Sequence, residues 1–400
     1  MTRKELVGHL VTTSLLADRL RGVESSPTLA LAVKAKALQQ AGQPVLDFTA
    51  GEPDFPTPEP IKQAGIAAIE HNQTRYTPAA GTQDLRAAIA TVLTQRLGIS
   101  YQPKQVVVSC GAKHALYNVL QVLCQAGDEV IIFSPYWVSY VPMVQLAGAT
   151  PVLVPLEERQ QYQPDLATVK AALTDRTKVI ILNSPSNPTG MLIERPRLRA
   201  LARLAQEHDL LILSDEIYDQ LVYSPHQPCS IVQAEPAVAD RTILVNGVSK
   251  TYSMTGWRIG YSVAPQPMTE AIIALQSHST SNPTSISQAA ALAALTGDQA
   301  PVARMANEFQ QRRDRLVNGL NRVPGLSCVM PHGAFYAWCN VSKIGPSADA
   351  IARQWLEEAL VAVVPGEGFG SAHHVRFSFA TSLSVIDEAL GRLEQWVAKR

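Results

Sequence analysis

Residues 242–263 read TILVNGVSKTYSMTGWRIGYSV and contain two apolar runs joined by a polar segment. The runs, Thr242–Asn246 and Ile259–Val263, are each long enough for one strand, and Lys250 and Arg258 lie between them. Continuous apolar strands are typical of an α/β sheet that is covered on both faces. In such sheets ligands bind beyond the carboxyl ends of the strands. The stretch therefore predicts an α/β fold with a ligand site near Lys250.

Similar apolar runs recur toward the N-terminus. They are Gln105–Ser109, Glu129–Ser134, Thr150–Pro155, Lys178–Asn183 and Leu210–Ser214. Helical patterns separate them, as at Ala115–Cys124 and Arg197–His208. We expect a mostly parallel sheet flanked by helices, with its strands buried on both faces.

The chain has 400 residues, which favours two domains. After about residue 300 the pattern changes to a charged helix, Glu308–Leu320, and then to short strands at Phe335–Trp338, Val361–Val364 and Val375–Phe379. We expect a large domain over residues 61–300 and a smaller α+β domain over 301–400. Residues 1–60 should form an N-terminal arm and the first part of the small domain.

The composition excludes several classes of protein. Lys+Arg and Asp+Glu are equal at 34 each, so the formal net charge is zero, and we expect no nucleic acid or membrane partner. No apolar stretch approaches the roughly 20 residues that span a bilayer, and no secretory signal is evident, so a cytoplasmic location is predicted. The five cysteines show no metal spacing, which favours reduced thiols and no metal site.

Polar residues follow several of the runs, where the chemistry of an α/β sheet is expected. The segment from Ser109 to Lys113 opens a helix whose free N–H groups suit a phosphate. The turn sequence at 183–190, the acidic pair Asp215 and Glu216, and Lys250 each follow another run. These residues should therefore meet at one edge of the sheet.

Residues 247–260, GVSKTYSMTGWRIG, resemble the lysine signature of the class I/II aminotransferases. Five further stretches match the family in order: GEPDFPTP at 51–58, RYTPAAG at 75–81, PYWVSY at 135–140, SNPTG at 186–190 and SDEIY at 214–218. The chain is most similar to the bacterial aspartate aminotransferase subgroup. The resemblance implies fold type I, pyridoxal 5'-phosphate as cofactor, amino-acid and 2-oxo-acid substrates, and a homodimer with shared active sites.

The resemblance also implies the catalytic roles. Lys250 would carry the cofactor covalently and then act as the base at the substrate Cα. Asp215 would pair with the protonated ring nitrogen, and Asn187 and Tyr218 would donate hydrogen bonds to the 3'-oxygen. Trp137 would stack on the ring.

The resemblance places the phosphate on Arg258, on the backbone of Gly111, Ala112 and Lys113, and on Tyr76 of the partner subunit. Many relatives carry a serine where this chain has Gly247, and Ser249 is a candidate substitute.

Substrate contacts are implied as well. Arg376 would grip the α-carboxylate, with help from the Gly51 backbone, while Trp137 and Asn187 also touch the substrate. Lys113 is the candidate for the distal carboxylate of a dicarboxylic substrate, because a lysine in the first turn of a helix opposes the helix dipole. Thr28 is a further candidate contact.

Several alternatives stay open at this stage. Aspartate with 2-oxoglutarate is the first choice of substrates, and prephenate, aromatic amino acids or alanine are the alternatives. The same fold and lysine also support β-lyases, decarboxylases and cyclopropane-forming synthases. A ligand-sensing regulator would need an added DNA-binding domain and a basic face, which the sequence does not indicate.

Overall fold

The computed structural model describes residues 17–20, 23 and 27–400, with only the backbone described for residues 27–32. A seven-stranded sheet forms its centre, in the order β2-β8-β7-β6-β5-β3-β4. The strands are β2 (Val106–Ser109), β3 (Glu129–Ser134), β4 (Thr150–Pro155), β5 (Thr177–Asn183), β6 (Leu211–Asp215), β7 (Thr242–Gly247) and β8 (Gly260–Val263). Only β8 runs antiparallel to its neighbours in this sheet. The expected mostly parallel α/β architecture is confirmed.

Helices cover both faces of this sheet, and others, the first and the last three along the chain, pack against the shorter strands of a second, smaller part of the fold. In chain order they are α1 (Pro27–Gln40), α2 (Glu59–Glu70), α3 (Gln83–Leu97), α4 (Ala112–Leu123), α5 (Tyr140–Leu146), α6 (Leu166–Ala171), α7 (Arg195–Glu207), α8 (Ile231–Ala234), α9 (Gln266–Ser277), α10 (Ser285–Thr296), α11 (Ala300–Leu320), α12 (Ala348–Gln354) and α13 (Leu383–Ala398). Alternate residues of the central strands belong to two different apolar clusters: Ile180 packs in one and Ile181 in the other. The β-branched side chains thus fill the space between sheet and helices on each face.

The burial expected for β4 was wrong. This strand lies at the edge of the sheet and pairs only with β3, and the side chain of Leu153 is 47% exposed. An edge strand lacks a neighbour and receives less helix cover, so an apolar run there does not imply burial on both faces.

The smaller α+β part of the fold is built from a four-stranded sheet in the order β12-β13-β10-β9. Its strands are β9 (Ser327–Cys328), β10 (Tyr336–Asn340), β12 (Val364–Pro365) and β13 (His374–Ser378), while β1 (Leu46–Asp47) pairs in parallel with β11 (Val361–Ala362). Phe309 of α11 and Leu393 of α13 are fully buried in its core. Within the described residues, no helix is long and apolar enough to cross a bilayer.

Candidate active site

A cavity of about 460 Å³ opens at the carboxyl ends of β5, β6 and β7 and reaches the small sheet. Most of the residues predicted from the sequence line it: Gly51, Ala112, Lys113, Trp137, Asn187, Asp215, Tyr218, Ser249, Lys250, Arg258 and Arg376. The folded chain therefore brings together residues that are up to 325 positions apart, from Gly51 to Arg376.

Lys250 follows the end of β7, and its Nζ donates a hydrogen bond of 2.5 Å to the carbonyl oxygen of Gly51. Burial lowers the pKa of Lys250 to about 8, and the nearby positive charges of Arg376 and Arg258 act in the same direction. A lysine with this pKa is partly neutral near pH 7.5 and is therefore able to act as a nucleophile or a base.

Asp215 is the last residue of β6 and is 4% exposed. Its carboxylate accepts a hydrogen bond of 2.7 Å from the hydroxyl of Tyr140, which begins α5. Burial raises the pKa of Asp215 to about 6, and the bonds from Tyr140 and the Ile217 amide oppose that rise. The carboxylate is therefore ionised at neutral pH, and a cationic partner in the cavity would lower its pKa further.

The start of α4 forms a cradle against Arg258. Gly111 caps this helix with φ +87°, and a Cβ there would lie 2.4 Å from Nη2 of Arg258. A Cβ on Gly260 would lie 2.1 Å from the Ala112 amide nitrogen. The two glycines thus allow the start of α4 to approach both the Arg258 guanidinium and the strand β8. The first amides of α4 have no acceptor within the helix. This arrangement suits an anion such as a phosphate.

The absence of a serine at Gly247 has a structural reason. A Cβ at this position would lie 2.9 Å from both the Cα of Gly260 and the carbonyl oxygen of Ile259. Because β7 and β8 pair so closely here, a side chain would force the strands apart. Ser249 lines the cavity nearby and is buried.

Lys113 and Trp137 share one wall of the cavity. The Nζ of Lys113 lies 5.0 Å from the centroid of the Trp137 ring, within the range of a cation–π contact. Burial, followed by the positive charge of Arg258, lowers the pKa of Lys113. The ammonium group therefore lies in a region of positive potential that favours an anionic ligand.

Arg376 lies inside β13, lines the cavity and is buried. It donates one hydrogen bond of 3.1 Å to Oδ1 of Asn187 and another of 3.0 Å to the carbonyl oxygen of Thr49. Its guanidinium lies over the rings of Tyr336 at 4.4 Å and Phe369 at 5.1 Å, and its buried Nε has no partner among the described residues. An unpaired buried donor is costly, so the site is prepared for an acceptor.

Tyr218 and Tyr336 form a buried pair whose hydroxyl oxygens lie 3.0 Å apart. The two rings meet edge to face with their centroids 5.8 Å apart. Burial raises the pKa of both phenols, so each is a neutral donor at physiological pH.

Two predicted residues, Gly111 and Tyr76, do not line the cavity, and the side chain of a third, Thr28, lies outside the described residues. The side chain of Tyr76 is 90% exposed. Thr28 belongs to α1. The five cysteines are free thiols, and the described residues contain no cluster of three or more metal-ligating side chains.

The sequence predicted no role for four polar residues that line the cavity: Thr49, Asn183, Thr255 and Tyr336. It also assigned none to Tyr140, although this residue lies in the quoted stretch 135–140. Tyr336 gave no signal, because an aromatic residue in an apolar run is typical of a core strand.

The residues present fit pyridoxal 5'-phosphate. The cavity offers a buried carboxylate at Asp215, a lysine of lowered pKa at Lys250 and an anion cradle at the start of α4. The Trp137 ring provides an aromatic surface on one wall. These groups match a ring nitrogen, an aldehyde, a phosphate and a flat ring.

Comparison with known proteins gives the same assignment. The family model for aminotransferase class I and II matches residues 43–393. The aspartate aminotransferase of Geobacillus stearothermophilus is 45% identical over 390 residues, covering 96% of this chain and 99% of the relative. A bifunctional aspartate aminotransferase and glutamate/aspartate-prephenate aminotransferase of Petunia hybrida is 42% identical, covering 95% of this chain and 82% of the relative.

The solved structure of Thermus thermophilus aspartate aminotransferase with maleate superposes with a TM-score of 0.92 at 41% identity, covering 95% of this chain and 99% of that one. The chain therefore belongs to the aminotransferase class I and II family, and it is a pyridoxal-phosphate-dependent transaminase of fold type I.

Proposed function

We propose that the protein transfers the amino group of aspartate to 2-oxoglutarate. The observation that carries this proposal is the pair of cations, Arg376 and Lys113, among the residues that line a single cavity. A substrate with two carboxylates can engage both cations, whereas a monocarboxylic amino acid leaves one unpaired. Relatives named aspartate aminotransferase support the choice, and maleate, found with the Thermus thermophilus structure, also carries two carboxylates.

The proton chemistry is assigned to Lys250. The bound cofactor supplies a conjugated ring that stabilises negative charge at the substrate Cα. Lys250 would hold the aldehyde of the cofactor, and its amine, with a pKa of about 8, could take up the substrate Cα proton at neutral pH. The Gly51 carbonyl oxygen, which accepts its hydrogen bond, limits where the amine can swing.

Four further residues hold the ring in this proposal. Asp215, kept ionised and oriented by Tyr140, pairs with the ring nitrogen. Asn187 uses its Oδ1 to accept from Arg376, so its amide nitrogen is left to donate to the 3'-oxygen together with Tyr218. Trp137 lies on one wall of the cavity, where it can stack on the ring.

We assign the phosphate to Arg258, to the first amides of α4 at Ala112 and Lys113, and to Ser249 in place of the serine that Gly247 replaces. The Arg258 guanidinium also donates to the Thr255 carbonyl at 2.9 Å, which fixes its direction. The α-carboxylate is assigned to Arg376, whose unpaired Nε awaits an acceptor. Thr28 stays a candidate substrate contact.

The proposal includes a symmetric homodimer. Tyr76, a large aromatic that is 90% exposed, is suited to complete the phosphate site of a second copy. Inactive Tyr76 and Lys250 variants should regain part of their activity when they are refolded together, because one site of the mixed dimer is then intact. A fully active monomer, measured by its mass in solution, would exclude this shared site.

Two other expectations stay proposals. We place the domain borders near residues 60 and 300, between which the seven-stranded sheet lies. A cytoplasmic location stays a prediction of the sequence.

Prephenate is the second candidate acceptor, and the name of the Petunia hybrida relative favours it. A panel of amino donors and 2-oxo acids separates the candidates.

Mixing the enzyme with aspartate alone should leave the amino form of the cofactor, as only a transaminase does. A β-lyase would release the keto product and regain the original cofactor form.

Lys113→Gln tests the distal carboxylate. We expect kcat/KM for aspartate to fall by roughly 10–1000-fold, the effect of one lost, partly buried charge contact, while aromatic donors are spared. Lys104→Gln, at an exposed lysine outside the cavity, is the control. Equal losses for all donors would move Lys113 to cofactor binding.

A further inference from the structure

Tyr336 touches residues of two different proposed roles. It lies on β10, is 1% exposed and lines the cavity. Its hydroxyl is 3.0 Å from that of Tyr218, and its ring lies 4.4 Å from the Arg376 guanidinium carbon. In the register of β10 and β13, Trp338 lies opposite Arg376. Tyr336 is therefore a diagonal neighbour of Arg376 on the same face of the small sheet.

The hydroxyl pair poses a problem of proton direction. A phenol has one proton, so only one of the two hydroxyls can donate across the 3.0 Å contact. If Tyr218 donates to Tyr336, its proton is not available to a ligand in the cavity. If Tyr336 donates instead, the Tyr218 oxygen accepts, and the Tyr218 proton is free for an acceptor in the cavity.

No other hydrogen bond joins the Tyr336 hydroxyl to a described residue. The backbone of Gly51 approaches this hydroxyl, since a Cβ added to Gly51 would lie 3.8 Å from it. Tyr336 therefore loses nothing by donating to Tyr218, and a ligand acceptor beside Tyr218 selects that arrangement. Both phenols are buried, where a chain of hydrogen bonds is strengthened by the low dielectric.

We propose that Tyr336 is a positioning residue: its hydroxyl donates to Tyr218 and so directs the Tyr218 proton at the 3'-oxygen of the cofactor, while its ring supports the Arg376 guanidinium. The proposal rests on the role given to Tyr218 under the proposed function. The hydroxyl and the ring of Tyr336 thus have separate roles: the hydroxyl directs the Tyr218 proton, and the ring supports Arg376.

Tyr336→Phe removes the hydroxyl and keeps the ring. A hydrogen bond from Tyr218 to the 3'-oxygen favours the deprotonated form of the cofactor–lysine linkage and so lowers the pKa of that linkage. Without the hydrogen bond that it accepts from Tyr336, the Tyr218 hydroxyl donates more weakly, so the pKa of the linkage rises. The absorbance titration of the loaded protein should therefore move upward by about half to one pH unit, the effect of one neutral hydrogen bond. The KM for aspartate should change by less than about threefold, because the contact with Arg376 remains.

Tyr336→Leu removes the ring as well. It should show the same upward shift together with a KM for aspartate raised by about tenfold, the scale of one lost buried cation–π contact. Thermal unfolding of the cofactor-free variants shows whether each is folded. Should the leucine variant fail to fold, the phenylalanine variant still tests the hydroxyl.

The decisive measurement is a double-mutant cycle with Tyr218→Phe. In that background Tyr336→Phe should no longer shift the titration, because no Tyr218 proton is left to direct. An equal shift in both backgrounds, or no shift in the wild-type background, would overturn the proposal. A wild-type protein whose absorbance shows no pH-dependent band would instead overturn the proposed function, and this inference with it.

Discussion

The large and the small sheet present their functional residues in different ways. Asp215 ends β6 and Lys250 follows β7, so both lie at the carboxyl edge of the large sheet. Arg376 lies in the middle of β13 and Tyr336 at the start of β10, two strands that pair along five residues. A residue beyond a strand end has room to swing, whereas a residue within a paired strand is fixed. In the proposed mechanism the large sheet therefore supplies the lysine that moves protons, and the small sheet supplies the fixed guanidinium that binds the α-carboxylate.

Replacing Lys250 by Ala tests the role of the large sheet and should have the largest effect on activity. Turnover should fall by at least about 10⁴-fold, because no other group supplies both the covalent link and the positioned base. Borohydride should no longer attach the cofactor, while binding of a dicarboxylate at Arg376 should persist. Lys104→Ala is the matched control, since Lys104 is exposed outside the cavity. Peptide mapping that finds the reduced cofactor on another lysine would contradict the assignment.

Arg376→Lys tests the role of the small sheet. The charge remains but the planar fork is lost, so kcat/KM for aspartate should fall by about 100–1000-fold, while the dissociation constant of the cofactor stays unchanged. Arg313→Lys is the control, since Arg313 is equally buried but donates to the Pro331 carbonyl, outside the cavity. An equal loss of affinity for the cofactor would show that the residues of the large sheet and those of the small sheet do not act separately.

Gly260→Ala tests how closely the strand β8 of the large sheet approaches the start of α4. The new Cβ would lie 2.1 Å from the Ala112 amide nitrogen, so the start of α4 must shift. We expect the free energy of unfolding, measured in urea, to fall by about 2–3 kcal/mol, and the affinity for the cofactor to fall with it. Gly256→Ala has no atom within 4 Å of its Cβ and serves as the control. Equal stability of the two variants would refute the close approach.

Tyr140→Phe should have the smallest effect, and it depends on pH. The hydrogen bond from Tyr140 lowers the pKa of Asp215, so its loss raises that pKa. Because the ionised carboxylate is the working form, the acidic limb of the activity profile should move to higher pH by about one unit. At pH 8 the rate should be nearly unchanged. Tyr252→Phe, which loses a 2.9 Å bond to Gln299 away from the cavity, should leave the profile in place.

The sequence predicted the large sheet well, because its apolar runs are local signals. The strands Glu129–Ser134 and Thr150–Pro155 have the predicted bounds. The rule that polar residues after parallel strands meet at one edge also brought Asp215 and Lys250 to the same cavity.

The small sheet could not be interpreted in this way. Arg376 lies in the middle of a strand, so only the resemblance to a family pointed to it. The contact of Tyr140 with Asp215 depends on where the start of α5 lies relative to the end of β6, which no local pattern encodes. The exposure of β4 likewise depends on its place in the order of strands, which is a property of the whole sheet.

The position of β4 has a consequence for how copies of this chain avoid aggregation. The amides of Thr150 and Leu156 point inward to acceptors next to and within β3. By alternation, the amides of residues 151, 153 and 155 point to the open side of the sheet. Two of these three residues are prolines, which carry no N–H. The open edge of the strand thus offers a single backbone donor, at Leu153, so another chain has little to pair with despite the apolar side chain exposed there.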